Sequence, residues 1–141
     1  MRFMMFMYPL PVDEDWKPSA EDMAAMTRYN LEMRDAGVLL ALDGMRPPED
    51  GASILFEGRE ARVIDGPFAE AKEVVGGYWI IQVRSTEEAL EWAKRCPGVN
   101  CRIELRPMVE PEDLPKQIQE VYDYNLHIGV DDPSAPGADA G

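Results

Sequence analysis

Histidine is almost absent, cysteine is scarce and positive charge is in short supply. The 141-residue chain holds one histidine, two cysteines, and 14 lysines and arginines against 27 aspartates and glutamates, a net charge of −13. So acidic a chain argues against a nucleic-acid groove, which needs cationic side chains to displace phosphate counterions. Anionic membrane surfaces are disfavoured for the same reason. No stretch approaches the roughly 20 apolar residues of a membrane span. The apolar start, Phe3-Met4-Met5-Phe6-Met7-Tyr8, resembles the opening of a secretory signal. It is short, ends at Pro9, lacks a small-residue cleavage site and runs into Asp13-Glu14-Asp15, so a buried strand is expected instead. Two cysteines make no disulfide framework, and a reduced, cytoplasmic setting is the expectation. Cys96 and Cys101 have neither CxxC spacing nor a histidine beside them, so no metal site is expected. Cys96 reads as core, and a local disulfide across that loop stays open. The single histidine, His127, has no spaced partner and reads as solvent-facing or as a dimer contact.

What is present suits one folded domain. The length allows a single core that buries roughly two-thirds of the unfolded surface, and 45% of residues are hydrophobic. The charge is unevenly spread: residues 1–109 carry −6, and the last 32 residues carry −7.

Two helices are marked by their ends. Ser19 and Asp22 have capping-box spacing, and Ala25, Met26, Tyr29, Met33 and Ala36 follow at helical intervals up to a left-handed stop at Gly37. Ser85 and Glu88 repeat the box before Ala89, Trp92, Ala93 and Cys96, and Pro97-Gly98 halts the second helix. Strand-like segments lie at 3–8, 38–45, 53–56, 61–64, 77–83 and 102–109, with a hairpin turn at Glu57-Gly58-Arg59-Glu60. The order is βαβ–βαβ with an extra hairpin, the plan of a ferredoxin-like α+β sandwich. Its helices would cover one sheet face, and a second chain meeting it sheet to sheet would cover the other, so a homodimer is expected. Leu114, Ile118, Val121, Tyr122 and Asn125 share one face of a third helix, and the acidic stretch after Gly129 reads as a disordered tail. The expected division is a domain at 1–110, a helical extension at 111–127 and a tail at 128–141.

The least ordinary segment is Asp65-Gly66-Pro67-Phe68-Ala69-Glu70-Ala71-Lys72-Glu73, followed by Gly76-Gly77-Tyr78-Trp79-Ile80. Gly66 and Pro67 impose a turn after a strand, and Gly76-Gly77 permits close approach of another backbone or a ligand. From the residues alone this is a structural turn, with Asp65 as an Asx cap and Phe68 as a plug, or the rim of a site. The segment resembles the signature of the DGPF branch of the YCII-related domain family. Asp35-Ala36-Gly37-Val38, Asp43-Gly44-Met45-Arg46-Pro47, Ala89-Leu90-Glu91-Trp92-Ala93 and Ile103-Glu104-Leu105-Arg106-Pro107 extend the resemblance over roughly residues 1–110. It implies a ferredoxin-like dimeric α/β barrel. It also implies either a His–Asp pair in a cleft beside the sheet or, in the DGPF branch, a regulatory companion of extracytoplasmic-function sigma factors. The first helix here has no histidine, and Cys96 stands before Pro97 where an Asp-Pro would supply the aspartate. That pair is therefore not available.

The polar residues around the signature form the candidate site. Asp43, Arg46, Asp65, Phe68, Lys72 and Arg106 are the expected ligand contacts, with Arg46 or Arg106 holding a carboxylate through paired hydrogen bonds. Asp65, Glu73 and Tyr78 are the candidates for catalysis. No cofactor is expected. The leading reading is a homodimer that binds a small molecule near the signature loop, with a regulatory role. One alternative is a cofactor-free lyase, isomerase or hydrolase of a small acidic metabolite. Another is a partner protein that docks its acidic extension onto a basic surface.

Overall fold

Ser19 caps the first helix as its spacing requires. In the computed structural model, which describes residues 1–11, 15–65 and 73–119, the Ser19 Oγ accepts the Asp22 N–H at 3.0 Å and an Asp22 oxygen accepts the Ser19 N–H at 2.9 Å. The Ser19 backbone N–H first, and then the Ser19 hydroxyl, stabilise the charged Asp22 carboxyl and hold it below its ordinary value. Helix α1 runs over Ala20–Asp35 and ends as Gly37 turns to φ +73, a conformation only glycine adopts freely. Ala36 is thus the exposed C-cap rather than a member of the buried stripe, because the helix stops one residue earlier than the spacing predicts. Helix α2, Thr86–Lys94, starts at Ser85, whose Oγ accepts the Glu88 N–H at 3.1 Å. The Glu88 carboxylate takes the Arg84 N–H at 2.9 Å, one residue before the position expected for a reciprocal cap.

Six strands follow the predicted order: β1 (Arg2–Pro9), β2 (Leu39–Gly44), β3 (Ala52–Glu57), β4 (Glu60–Asp65), β5 (Gly77–Gln82) and β6 (Cys101–Pro107). Four of them form an antiparallel sheet in the order β2-β5-β1-β6, compatible with the ferredoxin-like α+β class. The pairing sets Phe3 opposite Ile81 and Pro107, and Met5 opposite Trp79 and Leu105. β3 and β4 make a separate two-stranded hairpin through Gly58, at φ +61.

Both helices cover the sheet face that carries Phe3, Met5, Trp79 and Ile81. Tyr29 and Met33 of α1 and Ala89 of α2 complete the buried core with Val38 and Val83. The two large polar-tipped rings in it are satisfied. The Trp79 indole donates to Asn30 Oδ1 at 2.8 Å, and the Tyr29 hydroxyl donates to the Trp92 carbonyl at 2.6 Å. Their rings meet edge to face with centroids 6.3 Å apart, a favoured aromatic geometry. An Arg95–Glu32 ion pair at 2.7 Å ties α2 to α1, and the Arg95 guanidinium lies 4.3 Å from the centre of the Trp92 ring.

The chain divides into two units, Met1–Pro107 and Met108–Gly141. In the second, a 3-10 turn at Pro111–Asp113 is closed by the Glu110 N–H donating to Asp113 at 2.8 Å. A helical turn at 116–119 carries Ile118. Val121, Tyr122, Asn125, His127 and the tail lie outside the described residues. Among the described residues no helix is long and apolar enough to cross a membrane.

Burial pushes the Tyr29 hydroxyl well above its ordinary value of 10.0. A raised folded-state value means that its stabilising contribution is complete below pH 10.0 and is lost as pH rises beyond it. Tyr29→Phe is expected to cost about 1 kcal/mol at neutral pH, because it removes the buried hydrogen bond to the Trp92 carbonyl, which keeps the Arg95 N–H as its other donor. It should also flatten the fall in stability above pH 10.0. Urea midpoints measured across that range check both, and parallel alkaline limbs would contradict the assignment.

Candidate functional site

Strand alternation sends Met4, Phe6 and Tyr8 to the sheet face opposite the helices. The register puts Tyr78 and Ile80 of β5, and Arg102, Glu104 and Arg106 of β6, on that same face. Asp43 joins them as the partner of Tyr78. Here the Tyr8 hydroxyl donates to a Glu104 oxygen at 2.9 Å, and the Arg102 guanidinium stacks 4.3 Å from the centre of the Tyr8 ring. Arg102 also bridges to Glu73 at 2.9 Å. The hydrogen bond to Glu104 raises the Tyr8 phenol above its ordinary value, burial and the Glu104 charge add to this, and Arg102 opposes it. Tyr8 therefore presents an O–H donor, not a phenolate.

Glu73 reaches this face because the chain behind it is pinned. The Gly76 N–H donates to the Met7 carbonyl at 2.7 Å, and the Gly76 carbonyl accepts the Met45 N–H at 2.9 Å. A Cβ at Gly76 would strike the Pro9 ring at 2.8 and 2.9 Å, and one at Gly77 would come within 3.0 Å of the Asp43 carbonyl. The glycine pair thus permits the close backbone approach that the sequence predicts, with Pro9 and β2 as the neighbours.

In front of these glycines lies a cavity of about 370 Å³. Its walls are Arg46 with the 3-10 turn Pro48–Asp50, Ala52 at the hairpin base, and Glu73, Val74 and Val75. Arg46 pairs with Asp50 at 3.0 Å while its side chain stays 85% exposed. An exposed pair of this kind contributes about 0–1 kcal/mol, so Asp50 holds the guanidinium only weakly. The guanidinium has five N–H donors in a planar fork suited to a carboxylate.

The expected site residues therefore separate into groups. Arg46 and Glu73 line one cavity, and the backbone of Asp65 pairs with Ala52 in its wall. Asp43 and Tyr78 are register partners on the sheet face. Arg106 lies opposite Met4 on β6, three strand spacings or about 14 Å from β2, and is not brought to the Arg46 cavity. Phe68 and Lys72 lie outside the described residues. Sequence reasoning missed Tyr8, Arg102 and Glu104. Their signal is alternation: Tyr8 keeps phase with Met4 and Phe6, and Arg102, Glu104 and Arg106 recur at every second position. Among the described residues no cluster of three or more His, Cys, Asp or Glu side chains could hold a metal ion.

Residues 1–110 match the YCII-related domain, and the chain belongs to that family. It is also 33% identical, over 99 residues, to a protein of Rhizobium meliloti (strain 1021) described as uncharacterised. That match covers 67% of this chain and 77% of the relative.

Replacing Glu104 by Gln removes the carboxylate that holds the Tyr8 proton. The Tyr8 titration midpoint is expected to fall back toward 10.0. It can be read by ultraviolet titration as the difference between each protein and its Tyr8→Phe counterpart. An unmoved midpoint would remove Glu104 as the cause.

Proposed function

We propose that this YCII-related protein, read as a member of the DGPF branch, binds a small carboxylate-bearing molecule in the cavity between Arg46 and Glu73. The observation that carries this reading is that an exposed arginine, Arg46, and the last residue of the signature segment, Glu73, line one cavity of about 370 Å³. Arg46 takes the ligand carboxylate by paired hydrogen bonds. Pro47, Pro48, Val74 and Val75 offer an apolar wall to its body, and Glu73 receives a hydrogen-bond donor or a cationic group. Glu73 is 60% exposed and ion-paired with Arg102, a setting for charge pairing rather than proton abstraction. Binding without chemistry fits a regulatory, cytoplasmic role. The missing helix histidine and the Cys96-Pro97 dipeptide support that role over a His–Asp hydrolase.

The same reading makes the protein a homodimer that packs sheet to sheet. In its support, α1 and α2 lie on the opposite face, and among the described residues of 1–107 no α-helix covers the half-buried Met4, Phe6 and Ile80.

A thermal-shift screen of small carboxylic acids should find compounds that raise the melting temperature. Arg46→Ala is expected to weaken their binding at least tenfold, the equivalent of about 1.5–3 kcal/mol for a charge-assisted hydrogen bond. Arg106→Ala should leave binding intact. Equal binding by wild type and Arg46→Ala would sink the proposed site. For the dimer, Phe6→Arg should halve the mass seen by light scattering while far-ultraviolet circular dichroism is retained. A wild-type protein already at the monomer mass would count against it.

A further inference from the structure

After α2 the chain turns through Pro97, Gly98, Val99 and Asn100 before β6 begins, with Asn100 in the left-handed region at φ 52. The turn is held at both ends. The Cys96 N–H donates to the Ala93 carbonyl at 3.2 Å, and the Asn100 carbonyl accepts the Leu10 N–H at 2.9 Å. It brings two free, half-buried thiols back to the same place. A Cβ at Gly98 would overlap the Cys101 sulfur and stand 3.7 Å from the Cys96 sulfur. Both sulfurs therefore lie beside Gly98, and a side chain there would have to displace the Cys101 sulfur.

Cys101 also faces an apolar cavity of about 350 Å³, which shares no lining residue with the Arg46 cavity and is lined by Met7, Leu10, Trp16, Met23 and Met26. Among the described residues the one charged side chain in its wall, Asp22, is tied to the Ser19 cap. Such a cavity accepts an uncharged apolar molecule and repels an anion. We propose that Cys96 and Cys101 form a redox modification site, closed to an intrachain disulfide by exchange with an uncharged, apolar disulfide that enters this cavity.

The Cys101 thiolate attacks one sulfur of the incoming disulfide, breaks its S–S bond and releases the first thiol as thiolate. The Cys96 thiolate then attacks the Cys101 sulfur, forms the intrachain bond at about 2.05 Å and expels the second. The two cysteine protons pass through solvent to the released thiolates. The protein pair loses two electrons, and the external disulfide gains them. Burial pushes both cysteine thiols up, so the exchange speeds up as pH rises from neutral.

Dithiodipyridine, an uncharged aromatic disulfide, tests the site on the full chain. Two equivalents of thiopyridone should be released per chain, with no pyridyl group retained and a mass lower by two hydrogens. Peptide mapping should find Cys96 joined to Cys101, and dithiothreitol should restore both thiols. Cys96→Ser should stop at one equivalent, with the adduct kept on Cys101. Two retained adducts, interchain dimers or an unreactive folded chain would each overturn the pair. An anionic aromatic disulfide should react at least about tenfold more slowly, with each rate normalised to that of the unfolded chain. Equal normalised rates would overturn entry through the apolar cavity.

Discussion

The pairing of β1 on both of its edges is the constraint from which the rest follows. With β5 on one side and β6 on the other, its register is fixed along nearly its whole length. A slip of one residue would exchange its two faces, driving Phe3 and Met5 out of the core and Tyr8 into it. Burying side chains of that size stabilises the fold by roughly 1.5–3 kcal/mol each, and this holds the register. The same strand thus sets the hydrophobic core and the tyrosine–glutamate contact across the sheet. Neither can move without the other.

Charge has a different role. The described ion pairs are largely exposed, and pairs of that kind add little to stability. Their value lies in aim. Arg102 stacks on Tyr8 and reaches Glu73, linking the sheet face to the segment that walls the Arg46 cavity. Glu73 is therefore shared between the two polar groups. Just over half of the chain's net acidity lies elsewhere, in the last 32 residues.

Local chemistry made much of the fold legible. Ser19, Asp22, Gly37 and Ser85 act within four residues of themselves, and a reader of the chain needs nothing distant to place them. Element order then pointed to the α+β class. The Tyr8–Glu104 contact was not legible in this way. It joins residues 96 apart in sequence and exists only once the β1–β6 register is known. Arg106 shows the same limit from the other side. It looks like Arg46 on paper, and three strands of sheet separate it from the Arg46 cavity. Cys96 and Cys101, spaced unlike any metal motif, both come beside Gly98 in the turn that joins α2 to β6.

The central position of β1 has a consequence in time. Phe3 pairs with Pro107, more than a hundred residues along the chain, and its other neighbour, Ile81, comes only slightly sooner. During synthesis the segment Phe3-Met4-Met5-Phe6-Met7 leaves the ribosome before β5 and β6 and must wait for both before its hydrogen bonds close. The sheet is completed late, by contacts whose loop-closure cost makes folding slow. Until then an apolar strand with both edges open is the part of the nascent chain in greatest need of a chaperone.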